Sequence, residues 1–504
     1  MLTCNGQYEW CEGEPFVYKD GEGKEYCVFH APKEKKGEGV TPEKFNEKVF
    51  KKINDVIREN KLPGSKGNKI CNLSGTVFEG DIDFSRYNKD NPFPGINFSH
   101  ATFSGKAKFL NATFSGEANF SDATFKGKGV ADFRRVTFNE KADFENVRFE
   151  PELKVLFSEE LEINKLGHKK LAELYRTVAK FAKEANFRGA IFGGPAEFNG
   201  VKFDGGAYFR SAKFTKKGKF IVADFREEAD FRGTIFSEYA YFTGARFHEM
   251  AWFIGEDGKY YSMEEGEKDT SNTAMFAAGA DFRNLYIGEG VRFKCTDLSN
   301  VTFINSDLRK MNFIGHDWPR KTYGIKFSRG EVLHDENFIF GPKGKRDSKE
   351  IEKVEILYRR LKQKYTNEHD WPEVSNWHYG EKEMARKAKW QRRFVSILFL
   401  YWLFGGYGER PVRAGVGLVV FILAISVLTG FTCFEPSPEN YVYEGIIEKP
   451  LAYLINTLQY VTFQKETIFT PVSLWAHGVA LFARVVIPLQ AALFVLAVRN
   501  RFRR

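Results

Sequence analysis

The hydrophobic positions of this 504-residue chain recur at a period that fits neither a helix nor a simple strand. The clearest series is thirteen phenylalanines whose spacings alternate strictly between five and six residues: Phe187, Phe192, Phe198, Phe203, Phe209, Phe214, Phe220, Phe225, Phe231, Phe236, Phe242, Phe247 and Phe253. A helix would place apolar residues at steps of three and four, and a half-buried strand at steps of two. The pattern therefore predicts a short structural repeat in which phenylalanine recurs at a fixed place.

Two further series extend the repeat in both directions. An earlier, slightly broken one runs from Phe98 to Phe149, and a later one runs from Phe293 to Phe313 in plain steps of five. Two residues before the phenylalanine there is usually a small residue, most often alanine. A five-residue unit cannot bury its own aromatic ring, so the units must stack and place each ring over the next.

The pattern A-x-F-x-x resembles the pentapeptide-repeat family, in segments such as Ala223-Asp224-Phe225 and Asp297-Leu298-Ser299-Asn300. The resemblance covers roughly residues 71–153 and 185–316. It implies a right-handed quadrilateral parallel β-helix with one repeat on each of four faces. We therefore expect a mainly β solenoid with helical insertions, followed by an all-α membrane domain at the C-terminus.

Changes in pattern and composition divide the chain into nine segments. They are a candidate zinc-binding segment (1–35), a capping helix (36–70), a first solenoid segment (71–153), a helical insertion (154–186), a second solenoid segment (187–253), a polar loop (254–273), a third solenoid segment (274–345), a helical linker with an interfacial helix (346–410), and two transmembrane helices with a pore-loop-like segment (411–504). Residues 158–184 have the N-cap serine and acidic first turn of a helix. This insertion is either a docking site or a surface excursion without a role.

Four residues near the N-terminus, Cys4, Cys11, Cys27 and His30, have a spacing that could hold a structural zinc ion. Cys27-x2-His30 is a good half-site, whereas the gap between the first two cysteines is wider than usual. The alternative is a set of ordinary reduced thiols. Six cysteines in this length do not make a disulfide scaffold, and no apolar stretch follows Met1, which predicts an N-terminus that starts in the cytoplasm.

The segment after the repeats has helical periodicity over 353–365 and 380–391, with a break at Asp370-Trp371-Pro372. Its sequences Tyr358-Arg359-Arg360-Leu361-Lys362 and Trp377-His378-Tyr379-Gly380-Glu381 resemble a linker of membrane-bound pentapeptide-repeat proteins. The histidine, tyrosine and glutamate of the second sequence could suggest catalysis, but we expect them to pack the two helices together.

Two apolar stretches follow, from Ala414 to Phe434 and from Val472 to Val498, each long enough to cross a bilayer. Basic residues precede the first stretch: Lys387, Lys389, Arg392, Arg393, Arg410 and Arg413. The connecting loop is acidic instead: Glu435, Glu439, Glu444 and Glu448. The positive-inside rule predicts a multi-pass protein of the inner (plasma) membrane, with both termini and the solenoid in the cytoplasm. Residues 394–404 are too short to span and predict an interfacial helix.

Between the two stretches, residues 451–463 are apolar and about one pore helix long, which resembles the two-helix ion-channel architecture. A potassium filter needs glycines in a Thr-x-Gly-Tyr-Gly-type run. The pore-loop-like residues here have none: Thr462, Phe463, Gln464, Lys465 and Glu466. Potassium selectivity is therefore not expected. Arg484, within the second stretch, is either a functional intramembrane charge or a side chain that snorkels to the interface.

Charge and composition narrow the function. The net charge is +9, but 10 basic and 8 acidic residues between Phe187 and Phe253 leave the repeats near neutral, which argues against nucleic acid and against DNA mimicry. No recognisable catalytic motif occurs. Two hypotheses remain: an oligomeric channel, tetrameric if channel-like, that the solenoid assembles or gates, and a non-conducting scaffold tethered to the lipid bilayer that docks a cytosolic protein.

Overall fold

The computed structural model describes residues 8–11, 14–126, 129–158, 178–255, 275–323, 327–340, 347–389, 396–432, 434–436, 448–462 and 467–502. The chain forms two compact units. The first consists of Met1–Arg320 with Leu333–Asp335, and the second of Lys321–Val332 with Glu336–Arg504.

The first unit is a parallel β-solenoid of about eight turns, which confirms the predicted fold class. Each turn contributes short strands to four parallel sheets. The first sheet contains Ile70–Asn72, Gly95–Asn97, Ala118–Asn119, Ala142–Asp143, Ala185–Asn186, Ala207–Tyr208, Ala229–Asp230, Ala251–Ile254, Val291–Lys294 and Met311–Ile314. The second contains Val77–Phe78, Thr102–Phe103, Thr124–Phe125, Arg148–Phe149, Ile191–Phe192, Lys213–Phe214 and Ile235–Phe236. The third contains Ile82–Asp83, Ala107–Lys108, Gly129–Asp132, Leu153–Leu156, Ala196–Glu197, Gly218–Lys219, Ala240–Tyr241, Ala280–Asp281 and Val301–Thr302. The fourth contains Thr113–Phe114, Thr137–Phe138, Lys180–Phe181, Lys202–Phe203, Asp224–Phe225, Arg246–Phe247 and Tyr286–Ile287.

Inside the solenoid each sheet contributes a column of stacked phenylalanine rings. Phe187, Phe209 and Phe231 each follow a strand of the first sheet directly, and they stack at centroid distances of 4.8 and 5.0 Å, with planes 4° and 2° apart. Neighbouring columns meet edge to face, as Phe198 does against Phe209 at 5.5 Å and 89°. The stacking distance matches the spacing of hydrogen-bonded strands, so the strand register and the ring columns support one another.

An N-terminal helix covers the first turn. Helix α1 (Pro42–Lys61) begins with proline in its first turn and with a threonine N-cap that accepts the Lys44 backbone N–H. Its buried face includes Phe45 and Phe50, whose rings meet those of Phe78 and Phe84 at 6.0 and 5.9 Å. The aromatic columns therefore end against a helix rather than against water.

At the C-terminal end of the solenoid, charged side chains form the hydrogen bonds that a further turn would otherwise form with the last strands. Helix α2 spans His334–Phe340, and the buried carboxylate of Asp335 accepts the backbone N–H groups of Phe303 and Ile304 at 2.8 and 3.0 Å. The ammonium of Lys310 donates to the carbonyls of Ile287 and Gly288 at 2.9 and 2.8 Å. These bonds satisfy edge groups that no further strand within the described part of the chain reaches.

The second unit is mainly helical. Its helices are α3 (Ser348–Asn367), α4 (Trp371–Ala388), α5 (Ile397–Gly405), α6 (Pro411–Phe431), α7 (Glu448–Val461) and α8 (Leu474–Phe502). Three small two-stranded sheets complete the chain: Phe16–Lys19 with Glu25–Cys27 in the first unit, Arg320–Tyr323 with Phe327–Glu331, and Phe434–Pro436 with Phe469–Pro471. Helices α6 and α8 are both long and apolar enough to cross a membrane.

The structure differs from three predicted boundaries. The expected insertion at 154–186 is narrower, because Leu153–Leu156, Lys180–Phe181 and Ala185–Asn186 are strands of the solenoid. Residues 159–177, which hold most of the predicted helix, lie outside the described residues of the chain, as do residues 256–274 of the predicted loop.

The third solenoid segment also ends earlier than predicted, because its last strand stops at Ile314 and residues up to 345 include a two-stranded sheet and α2 instead. In the linker, α4 begins at Trp371 rather than near Gly380. Asp370 caps its first turn and Pro372 is tolerated there, since the first backbone N–H groups of a helix need no partner within it.

The buried carboxyl of Asp335 predicts a pH-dependent stability. Burial, with a smaller effect of the nearby Asp281 carboxylate, raises the pKa of Asp335 from 3.8 to about 7. The protonated form is therefore favoured on folding, and the stability that it contributes is complete below pH 4 and lost as the pH rises through 7. Within this window the free energy of unfolding should fall by up to about 1.4 kcal/mol per pH unit.

We expect Asp335→Asn, which cannot titrate, to remove this contribution to the pH dependence. Urea unfolding of the full-length protein in detergent at pH 5 and pH 8 would measure it. An identical pH dependence in the wild type and the variant would contradict the prediction.

Candidate functional site

The N-terminal segment brings three of the four predicted zinc ligands together. Cys11 ends a short 3-10 turn, Cys27 ends a strand, and His30 lies in the turn that follows it. The Nδ1 atom of His30 lies 3.7 Å from the sulfur of Cys11 and 3.2 Å from that of Cys27. All three are buried, with at most 5% of any one exposed. Cys4 lies outside the described residues.

This arrangement fits a tetrahedral metal ion. At a tetrahedral angle, zinc–sulfur bonds of about 2.3 Å and zinc–nitrogen bonds of about 2.0 Å put sulfur and nitrogen about 3.5 Å apart. The two observed sulfur–nitrogen distances of 3.7 and 3.2 Å bracket that value. All the ligand atoms lie within 4.8 Å of one another. The segment therefore contains a Cys2His cluster that could hold a metal ion.

The surroundings of the cluster hold His30 in place. Its Nε2 atom is 3.0 Å from the carbonyl of Ser74, and the ring of Tyr8 stacks on it at 4.2 Å. Nearby, the ammonium of Lys36 donates to the Val28 carbonyl at 2.7 Å and lies 4.0 Å above the ring of Phe45. Burial lowers the pKa of Lys36 to about 8.

In the second unit, residues 377–381 of α4, which we expected to pack the two linker helices together rather than to catalyse a reaction, contact α3. Trp377 is fully buried, and its ring lies 6.0 Å from that of Tyr358. Glu381 accepts from Arg359 at 3.0 Å and also pairs with Lys362. Burial, and after it the charge of Lys362, lowers the pKa of His378 to about 4. The imidazole is therefore neutral at pH 7.

The turn between α5 and α6 joins the linker to the apolar helices. Tyr407, fully buried and with a φ of 61°, donates its hydroxyl to Glu383 of α4 at 2.9 Å. Trp402 donates to the hydroxyl of Tyr379 at 3.1 Å. Ser375 donates to Glu409 at 2.6 Å. We call residues 405–408 the 405–408 turn. Three hydrogen bonds thus fix this turn and the residues on either side of it to one linker helix, α4.

The last helix holds the same turn from its other side. The side-chain amide of Gln490, only 2% exposed, donates to the carbonyls of Phe404 and Ala414 at 2.9 and 2.8 Å. Asn500 donates to the carbonyl of Gly408 at 3.0 Å. The 405–408 turn is therefore the point where α4, α6 and α8 converge.

Helix α7 is tied to the segment that follows it. The side-chain carbonyl of Asn456 accepts the Phe469 N–H at 3.1 Å, and that of Gln459 accepts the Ile468 N–H at 2.9 Å. Ser426 of α6 donates to Thr457 at 3.0 Å. The chain after α7 thus returns alongside the helix instead of moving away from it.

Of the five predicted pore residues, the structure describes Thr462 alone. Thr462 follows the helix and is exposed, whereas Phe463, Gln464, Lys465 and Glu466 lie outside the described residues. Arg484 lies in α8 with its side chain exposed. Neither observation assigns a role to these residues.

Sequence reasoning did not find several residues that organise these sites. Asn456 and Gln459, three positions apart on α7, were visible as amides on one helix face. The partnership of Tyr407 with Glu383 had no sequence signal. Four Asp-x-Arg segments that form bidentate ion pairs across a buried apolar residue were also missed: Asp132 with Arg134, Asp230 with Arg232, Asp281 with Arg283, and Asp307 with Arg309.

Comparison with known proteins supports the repeat. A family model described as pentapeptide repeats (9 copies) matches residues 92–127. The matched residues belong to the early turns of the solenoid, and the same ring columns continue beyond them to Phe313. The search of curated proteins and the search of solved structures found no match. The comparison therefore identifies pentapeptide repeats in residues 92–127 of the solenoid.

The close approach of α3 and α4 gives a test of the linker. A Cβ atom at Gly380 would lie 2.4 Å from the ring of Tyr358, whereas one at Gly478 in α8 would meet nothing within 4 Å. We expect Gly380→Ala to destabilise the protein by about 1–3 kcal/mol through overpacking. Gly478→Ala should be neutral or stabilising by up to about 1 kcal/mol.

Thermal unfolding of full-length protein in detergent, followed by tryptophan fluorescence, would compare the two alanine variants with the wild type. Equal midpoints for Gly380→Ala and the wild type would show that the two helices do not depend on this contact.

Proposed function

We propose that this chain is a membrane-anchored protein with a cytoplasmic pentapeptide-repeat solenoid, whose second unit forms an oligomeric, ion-channel-like membrane domain. One observation carries the proposal. A short helix, α7, lies between two span-length helices, and the segment that follows α7 is hydrogen-bonded back to it through Asn456 and Gln459.

Helix lengths support a re-entrant path. Helix α6 has 21 residues and reaches about 31 Å, which matches a bilayer core of about 30 Å. Helix α7 has 14 residues and reaches about 21 Å, which is too short to span. Only 22% of the apolar stretch of each long helix is buried, whereas a core helix of a soluble protein would be mostly buried.

The need to cover the return segment supports an oligomer. Irregular backbone at membrane depth is tolerated only where protein covers it or where it lines a water-filled cavity. Yet α7 leaves Leu451, Ile455 and Leu458 between 40% and 53% exposed in a single chain. Further copies around a central axis would cover this face, and a tetramer is the arrangement that we propose.

Orientation follows from charge and from α5. The basic residues before α6 favour the cytoplasmic side of the inner membrane, and we therefore propose that the solenoid and both termini lie there. Helix α5 leaves Ile397, Leu400 and Leu403 exposed to 86%, 50% and 39%. We infer that this apolar ridge lies in the lipid interface.

A second candidate is a non-conducting scaffold, favoured by the absence of glycine between Thr462 and Thr467. Its solenoid would dock a cytosolic protein on one of the four flat faces. No enzyme activity is proposed under either candidate, because pentapeptide-repeat solenoids are generally structural or interaction proteins.

We also propose that Cys11, Cys27 and His30, with Cys4 as the fourth ligand, bind a structural zinc ion. Elemental analysis of the purified full-length protein should give about one zinc per chain. Cys27→Ser should lose most of it, and Cys295→Ser, which changes a thiol far along the solenoid, should keep it. Wild-type protein without zinc would exclude the site.

Ion flux would separate the two candidate functions. Full-length protein reconstituted in liposomes should conduct cations and cross-link as a tetramer. Asn456→Leu should abolish most of the flux, because it frees the Phe469 N–H that the amide holds. Leu474→Ala, at an 89% exposed position where α8 begins, should not. If wild-type protein shows no ion flux with several ions and voltages, the non-conducting scaffold is the candidate that remains.

A further inference from the structure

One corner of the solenoid repeats the same backbone bond from turn to turn. At this corner a residue in the left-handed conformation donates its N–H to a carbonyl of the next turn. Gly75 donates to Ser99 at 2.7 Å, and His100 donates to Ser121 at 2.9 Å. By this rule the carbonyl of Ser74, in the first turn, should receive an N–H from a turn before it, but the described residues form no such turn.

Side chains of the N-terminal segment supply the missing donors. The Nε2 atom of His30 lies 3.0 Å from the Ser74 carbonyl, and the indole N–H of Trp10 donates to the same oxygen at 3.2 Å. His30 therefore occupies the place of a backbone N–H. Since a buried carbonyl without a donor is costly, this contact helps to close the first turn.

The neighbouring backbone supplies a missing acceptor. In the second sheet each strand donates to the turn before it, as Thr102 does to the carbonyl of Thr76 at 2.9 Å. Val77 belongs to the first strand of that sheet, and it donates instead to the carbonyl of Phe29 at 2.8 Å. His30 thus supplies the donor, and Phe29 the acceptor, that the backbone of a preceding turn would otherwise provide.

The chemistry of imidazole connects this contact to the Cys2His cluster. His30 can donate from Nε2 only when that nitrogen carries the proton, which leaves Nδ1 as a lone pair. That lone pair faces the sulfurs of Cys11 and Cys27. A metal ion bound at Nδ1 fixes this tautomer, and the bond from the other nitrogen orients the ring. With Nδ1 protonated instead, Nε2 would present a lone pair to the Ser74 carbonyl and the contact would be repulsive.

We propose that metal binding at Cys11, Cys27 and His30 locks the N-terminal segment onto the first turn of the solenoid, by committing Nε2–H of His30 to the carbonyl of Ser74. The lock rests on the zinc site proposed above. Loss of the metal would release the segment and open the strand edge at residues 70–78, while the inner turns stay closed, because each of them is bonded to turns on both sides.

Hydrogen exchange followed by mass spectrometry would test the lock on zinc-loaded full-length protein in detergent. Peptides that cover residues 70–80 report on the first turn, and peptides from 200–235 report on inner turns. A zinc chelator should speed exchange at 70–80 by about tenfold or more and leave 200–235 unchanged. Cys27→Ser should reproduce this effect without chelator, and Cys295→Ser should respond to chelator as the wild type does.

The results separate the lock from the zinc site itself. Wild-type protein that binds zinc, but whose exchange at 70–80 is unaffected when zinc is removed, overturns the lock and leaves the zinc proposal standing. Wild-type protein without zinc overturns both. If Cys27→Ser exchanges fast in the inner turns too, the variant has unfolded globally, and the chelator comparison on the wild type alone decides.

Discussion

The solenoid depends on one constraint: the backbone N–H and C=O groups of each turn find their partners in the turns above and below it. Because parallel strands pair at a fixed spacing, side chains at equivalent positions repeat at that spacing. A flat aromatic ring fills the distance almost completely, as the 4.8 Å stack of Phe187 on Phe209 shows. Phenylalanine at steps of five and six residues is therefore the side-chain consequence of a backbone rule, and it explains why the repeat is readable in sequence.

Because of the same constraint, the two terminal turns of the solenoid are the hardest to stabilise. The backbone groups of an inner turn pair with the turns on both sides, whereas a terminal turn needs side chains as hydrogen-bond partners on its outer side. Here the substitutes are chemically matched: Asp335 provides carboxylate oxygens for free N–H groups, Lys310 provides donors for free carbonyls, and His30 provides a donor for Ser74. Such contacts hide strand edges that would otherwise invite pairing with another chain.

This difference explains what could be predicted from the sequence. The stacked repeat followed from local spacing, because each turn repeats the last, and the β-helix followed from the resemblance to the pentapeptide-repeat family. The ends did not, since the bond of Asp335 to Phe303 joins residues 32 positions apart without periodicity. Three predicted zinc ligands do meet, yet nothing in the spacing of Cys27 and His30 pointed to Ser74, 44 residues beyond the histidine. In the second unit, α6, α7 and α8 were visible as apolar stretches, but the hydrogen bonds that tie Asn456 and Gln459 to the return segment depend on tertiary contacts.

The second unit is organised differently: one strained turn, the 405–408 turn, receives hydrogen bonds from several helices. Tyr407 has a left-handed conformation that costs a non-glycine residue on the order of 1 kcal/mol. The conformation persists because the buried hydroxyl bonds to Glu383 of α4, while Gln490 and Asn500 of α8 hold the carbonyls on either side. Removing any one of these partners would leave a buried polar group unsatisfied. The linker helix and the last apolar helix thus share one set of hydrogen bonds, so a displacement of α4 must either break that set or move the C-terminal half of α8 with it.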